Sequence, residues 1–193
     1  METNEVPATL ANVGWRPPLL TSERTLMRGW ELRDAESVFT YASDPEVTQY
    51  MFWDRHRTVA DAHSFLTMVA GEYEREELGY ALCLRSAPDV AIGGLGVFWR
   101  GKQHKVMELG YVMAREHWGQ GLLPEAARLL VSHAFATRAV ERIYAPILAE
   151  NAKSRRAAEK IGMRFEGVLR SSLELRGRRW DQAVYSVLRA DLG

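Results

Sequence analysis

Cysteine is nearly absent: Cys83 is the only one in 193 residues. A disulfide framework within the chain is therefore excluded, and a reducing compartment, the cytoplasm, fits. An excess of one charge is missing too. Lysine plus arginine total 25, and aspartate plus glutamate total 25. That balance gives no general electrostatic case for nucleic acid or an anionic membrane as partner. No apolar run approaches the roughly 20 residues needed to span a bilayer. The start, Met1-Glu2-Thr3-Asn4-Glu5, carries acids and lacks the basic and apolar regions of a secretory signal. Internal repeats and low-complexity linkers are missing as well. Nowhere do His, Cys and acidic residues fall into metal-ligand spacing, so no metal is expected.

What is present reads as an ordinary globular domain. Hydrophobic residues make up 47% and charged residues 26%. The length suffices for one domain with a sizeable core. Residues 1–18 read as an N-terminal extension that is loose or hugs an edge, and 19–193 as the domain itself. Asp34 reads as the N-cap of an amphipathic helix carrying Ala35, Val38, Phe39 and Ala42. Asp44-Pro45 opens a helical turn, and Thr58 starts a longer helix with Ala62, Phe65, Leu66 and Val69 on its apolar face. Strands are expected over 80–85 and 90–99, separated by a turn at Ser86-Ala87-Pro88-Asp89, and again over 106–113. A long helix over 122–138 has Pro124 in its first turn, where a missing N–H costs little. A strand over 142–148, a helix from Asn151 to Ile161 stopped by Gly162, and a hairpin turning at Arg176-Gly177-Arg178 complete the chain. The order predicts an α/β chain of α+β type: one mixed, mostly antiparallel sheet flanked by helices.

Chemistry concentrates between Glu108 and Ala126. There a strand ends and a helix begins, with Gly119 and Gly121 at the junction. Glycines let several N–H groups converge without Cβ obstruction, and a helix start adds unpaired N–H groups and a positive dipole end. The pattern suits a phosphate or pyrophosphate. Glycines that merely let a tight loop pass would look the same. The P-loop and the dinucleotide fingerprint are both absent.

The run Trp118-Gly119-Gln120-Gly121-Leu122-Leu123-Pro124-Glu125-Ala126 resembles the cofactor motif of the GNAT acetyltransferases, in the form of RimJ/RimL-type N-acetyltransferases. Leu20–Arg28 with Asp34-Ala35, Asp44–Val47 with Tyr50-Met51, Asn151–Ser154 with Glu159–Gly162, and Glu166-Gly167 resemble that family in the same order. The resemblance implies a GNAT-like domain binding acetyl-CoA as acetyl donor. Its pyrophosphate would lie on the backbone of Trp118, Gly119, Gln120, Gly121, Leu122 and Leu123. Its pantetheine would lie between two splayed central strands, bonded by the backbone of Val112 and Met113. The resemblance also implies Asn151 at the cofactor arm and Ser154 near the sulfur, with Arg155 at the adenosine phosphate. It places Trp53 and His56 at the acceptor site. Two positions depart from the wider family pattern. Glu116 stands where Arg or Gln is frequent, and Ala158 stands where many members carry a Tyr acid.

The implied reaction needs a neutral amine. An α-amine has a pKa of roughly 8 and a lysine amine roughly 10.4, so a carboxylate near the thioester is useful as a base. Glu108 is the candidate, against the alternative of a structural strand carboxylate. Ser154 is the candidate acid, and both Asn151 and Ser154 also read as local capping residues. Against these roles stand Arg155 as a solvated helix charge and Trp53 as plain packing. Cys83, between Leu82 and Leu84, reads as a small core residue. His117 reads as a surface histidine beside the loop, and Arg176, Arg178 and Arg179 as a solvated hairpin turn. The expected function is acetyl transfer to a primary amine, of a protein N-terminus or a small molecule, by direct attack in a ternary complex. The alternative is a non-catalytic acyl-CoA-binding module of the same fold. Family analogy adds a homodimer as one oligomeric option.

Overall fold

The computed structural model describes residues 13–192. Most of the N-terminal extension lies outside the described residues. Its end, from Val13, runs along the body: Arg16 donates to the Trp30 carbonyl at 2.9 Å, and Trp15 sits edge-on to Tyr73.

Eight strands form one sheet in the order β1-β2-β3-β4-β5-β6-β8-β7. They are β1 (Leu20–Thr21), β2 (Thr25–Arg28), β3 (Leu78–Leu84), β4 (Ala87–Gly101), β5 (Val106–Met113), β6 (Arg142–Leu148), β7 (Arg164–Leu175) and β8 (Arg178–Leu188). Every neighbouring pair is antiparallel except β5–β6. The sheet is thus mixed and mostly antiparallel, as expected from the order of elements.

Helices cover both faces. α1 (Ala35–Ala42), α2 (Pro45–Thr48) and α3 (Val59–Glu74) come before β3, while α4 (Leu122–Thr137) and α5 (Ala152–Ile161) flank β6. Alternation along β3 divides the core in two. Leu78, Tyr80 and Leu82 pack with α4 residues such as Ala127, Leu130 and Ala134. Ala81 and Cys83 pack with Val38, Leu66 and Tyr73 of α1 and α3. Cys83 is buried and free, and burial pushes its thiol up to about 11.

Local chemistry explains most boundaries. Thr58 and Asp61 form a capping box at the start of α3. Asp44 caps α2 by accepting from the Glu46 N–H. Asp34 is the N-cap residue of α1, as expected, but its side chain makes no cap bond to that helix. It ends a 3-10 turn over Leu32–Asp34 and accepts instead from the Glu31 N–H at 2.8 Å, closing that turn's capping box. Its buried carboxylate also takes the Arg28 guanidinium through two bonds of 2.8 and 2.7 Å, which keeps the guanidinium well above its ordinary range. The β3–β4 turn is also tighter than expected, at Arg85-Ser86. Pro88 and Asp89 fall in a bulge of β4, where their carbonyls accept from Arg28.

One irregularity of the sheet creates the site. β5 and β6 pair only at Val106–Arg142, Met107–Ile143 and Glu108–Tyr144. Beyond that point β5 stays with β4 up to Met113 and β6 stays with β8 up to Leu148. The two strands therefore splay apart at the centre of the sheet. Pro146 lies two residues past the last paired residue of β6 and has no N–H for a ladder bond.

Candidate active site

The splay opens into a cleft of about 810 Å³ that continues to the start of α4. Gly119 and Gly121 have φ of +79° and +77°, and Gly121 is the N-cap of α4 with no side chain to cap it. The first helical bond runs from the Glu125 N–H to the Gly121 carbonyl. The preceding N–H groups are consequently available to a ligand. A carboxylate braces this turn from behind. Glu125 accepts from the Ser22 hydroxyl at 2.6 Å and the Arg24 N–H at 2.8 Å, and pairs with the Arg24 guanidinium at 2.7 Å. Burial alone would raise the Glu125 carboxyl, but these donors outweigh it and hold it at about 2. Arg24 also holds the Gln120 carbonyl.

The expected cofactor residues divide. Val112, Met113, Trp118, Gly119, Gly121, Leu123, Asn151 and Ser154 line the cleft; Gln120, Leu122 and Arg155 do not. The Gln120 side chain bonds the Glu116 carbonyl, and Leu122 is buried in the core. Arg155 is turned to the other side of α5. It donates to the Tyr185 hydroxyl at 3.1 Å and to the Ala149 carbonyl, and its guanidinium lies over Phe165. The cationic side chains on the cleft side of α5 are Lys153, Arg156 and Lys160. Their i, i+3, i+7 spacing marks one helix face, a signal that singles out 156 rather than 155. Lys153 sits 4.2 Å from the Trp118 ring centroid.

Strand parity refines the expected backbone contacts. Ala114 donates to Ile92 on β4, and the Lys105 carbonyl accepts from Glu141 and Arg142 at the start of β6. Alternation between these points turns Leu109, Tyr111 and Met113 toward the splay and Val112 toward β4. The Val112 carbonyl indeed lies 2.4 Å from where a Cβ on Gly93 would stand. The Met113 carbonyl already accepts from the Trp118 indole at 2.7 Å. The main-chain groups of Tyr111 join the Met113 N–H as those facing the gap.

The two candidate catalytic residues stand on different elements of the same cleft. Glu108 Oε2 accepts from the Tyr144 hydroxyl at 3.0 Å and from Arg100 Nε at 3.1 Å. Tyr144 is held by the pairing at the last register position before the splay. Asn151 accepts from the Ser154 N–H at 3.1 Å, so it does cap α5. Ser154 Oγ lies 2.9 Å from the Tyr111 hydroxyl. Tyr111 was missed by sequence reasoning. Its only sequence signal is its parity on β5, which points it opposite to Glu108 and toward α5. Burial pushes its phenol up to about 12, although the Ser154 bond opposes the shift.

Trp53 and His56 do not line the cleft; they contact each other at 5.4 Å between ring centroids. Burial lowers the His56 imidazole, whose Nδ1 has no partner. The residues of this segment that do line the cleft are Gln49, Tyr50, Met51 and Phe52. His117 stays outside, 3.8 Å from Glu116. Among the described residues, no group of His, Cys, Asp and Glu is arranged to hold a metal, and no helix is long and apolar enough to cross a membrane.

This fold and cleft define a class: the chain belongs to the GNAT acetyltransferases and is an acetyl-transferring enzyme. The family sequence model described as "Acetyltransferase (GNAT) domain" matches residues 24–164. A Bacillus subtilis (strain 168) relative, "Uncharacterized N-acetyltransferase YoaA", is 30% identical over 173 residues, covering 89% of this chain and 97% of its own. The crystal structure of a GNAT-family acetyltransferase from Bacillus anthracis superposes with a TM-score of 0.81 at 27% identity, covering 90% of this chain and 99% of its own. The fold is also that of RimL, a ribosomal L7/L12 α-N-protein acetyltransferase solved with coenzyme A. That likeness has a TM-score of 0.77 at 15% identity and covers 90% of this chain and 97% of the other.

Proposed function

We propose that the chain is a cytoplasmic N-acetyltransferase of RimJ/RimL type that moves an acetyl group from acetyl-CoA to a primary amine by direct attack in a ternary complex. The observation that carries this reading is the single cleft joining the uncapped, glycine-lined start of α4 to the gap between β5 and β6. Backbone N–H groups of Gly119, Gly121 and Leu123 hold the pyrophosphate, and the cationic face of α5 adds Lys153, Arg156 and Lys160. The pantetheine arm replaces the missing ladder partner of β5, bonding Tyr111 and Met113 main-chain groups.

Glu108 accepts the proton of the attacking amine, directly or through one water, with Tyr144 and Arg100 fixing its carboxylate. Ser154 gives a proton to the departing thiolate sulfur and is held by Tyr111. Asn151 orients the first turn of α5 that carries Ser154. The acceptor enters past Tyr50, Met51 and Phe52. A protein N-terminal amine, as the likeness to RimL suggests, and a small-molecule amine are the two acceptor classes.

The test is release of CoA thiol from acetyl-CoA with N-terminal peptides, lysine peptides, spermidine and kanamycin as acceptors. Release that depends on one acceptor class is expected. Tight acetyl-CoA binding with no release for any acceptor would favour a binding module. No acetyl-CoA binding at all would sink the reading.

A further inference from the structure

The tip of the β7–β8 hairpin reaches across to the loop that walls the cleft. Two features aim it there. Leu169 pairs with Gln182 and Leu173 with Trp180, so three β7 residues oppose Asp181 alone. The extra length bends the hairpin at Ser171, whose φ is +51°. The tip itself is a two-residue turn, Arg176-Gly177, with φ of +53° and +71°. A two-residue turn with both φ positive favours Asn or Gly at the first position, and a long side chain is disfavoured there.

Arg176 occupies that strained position with all three guanidinium nitrogens engaged. Nη2 donates to the Trp53 carbonyl at 2.8 Å, to Met51 at 3.3 Å and to Thr48 at 3.5 Å. Nη1 donates to the Gln49 carbonyl at 3.2 Å, and Nε faces Asp54 at 3.3 Å. Asp54 is 91% exposed, so that ion pair contributes little. The backbone carbonyls matter more. They are the carbonyl of Thr48 at the end of α2, which also takes the Met51 N–H, and carbonyls of the loop behind it. Trp180 adds an edge-on contact to Tyr50 at 6.3 Å.

We infer that Arg176 is a positioning residue for acceptor specificity: it pins loop 49–54 so that Tyr50, Met51 and Phe52 form the acceptor wall of the cleft. The inference rests on the proposed acetyl transfer. Arg176 touches neither reacting group and acts through the loop. A fork with several donors is required, because one ammonium cannot serve carbonyls spread over six residues.

The experiment compares wild type with Arg176→Ala and Arg176→Lys. Each is assayed with acetyl-CoA and the best acceptor among an N-terminal peptide, spermidine and kanamycin. Hydrogen exchange of the whole chain is read in parallel. Both variants should raise the acceptor KM by about tenfold and leave the acetyl-CoA KM within about twofold. Exchange should speed up at residues 48–54 and not at 119–123. An unchanged acceptor KM, an equal rise for acetyl-CoA, or full activity of Arg176→Lys would each overturn the inference. Wild type that binds no acetyl-CoA would instead overturn the proposed function. Should Arg176→Ala fail to fold, Arg176→Lys with the exchange measurement still decides.

Discussion

Tyr111 and Ser154 carry one proton each between their hydroxyls, and the Tyr111 hydroxyl also lies 3.1 Å from the Ser154 carbonyl. When the phenol donates to that carbonyl, the serine hydroxyl must donate to the phenol oxygen. A new negative sulfur nearby would turn the serine proton toward itself while the phenol stays neutral, since burial keeps it protonated up to about 12. The pair therefore acts as a unit. Ser154→Ala and Tyr111→Phe should each lower kcat, Ser154→Ala by about 10²-fold, and the double variant should be little worse than Ser154→Ala alone. A double-mutant cycle on kcat checks this. Glu108→Gln should lower kcat by about 10²-fold with little change in acetyl-CoA Kd, measured by calorimetry beside steady-state kinetics. Of the residues singled out from the sequence, Glu108, Asn151 and Ser154 line the cleft, while Arg155 stands on another side of α5. The difference is one helix position: Arg155 shares a side of α5 with Glu159, and both reach the Tyr185 hydroxyl of β8.

Elements of this chain are held by short local signals and aimed by long-range ones. Gly121 ends the loop in a left-handed conformation that costs an L-residue about 1–2 kcal/mol. Gly121→Ala should therefore lower stability by about that much and raise the acetyl-CoA Kd, since the N–H groups before Glu125 would turn away. Urea unfolding and calorimetry together measure the two effects. Gly94 tests the other core. A Cβ there would stand 2.6 Å from Cζ2 of the buried Trp30 ring, so Gly94→Ala should destabilise by about 1–3 kcal/mol, read as a lower urea midpoint. The helix starts at Thr58, Gly121 and Asn151 were legible because caps are local. The N-cap position of Asp34 was legible for the same reason; that its carboxylate turns back to the Glu31 N–H and to Arg28 of β2 was not.

At the scale of the whole molecule, two carboxylates tie distant parts of the chain. Glu125 joins α4 to the β1–β2 turn. Glu166 on β7 takes Arg142 of β6 at 2.6 Å and Ser186 of β8 at 2.6 Å. Arg142, followed by Ser186, holds the Glu166 carboxyl at about 2. Both folded values lie below the 4.5 of an ordinary glutamate. Protons thus bind the unfolded chain more readily, and the stability these groups contribute is complete above about pH 5 and lost as pH falls toward 2. Thermal melts should show Tm dropping through that window. Glu125→Gln and Glu166→Gln should each lower Tm at pH 7 and flatten the acid limb.

The class of fold, the order of its elements, the glycine turn before α4 and the capped start of α5 are readable from the residues alone. Those features depend on residues within a few positions of one another, through periodicity, capping and turn chemistry. Where β5 and β6 part, which α5 cations face the cleft, that Tyr111 meets Ser154, and that Arg176 crosses to loop 49–54 emerge from the packed chain. Each of these depends on how elements far apart in sequence are placed in space, and a side chain's choice among partners is settled by distance and burial, which no spacing rule contains.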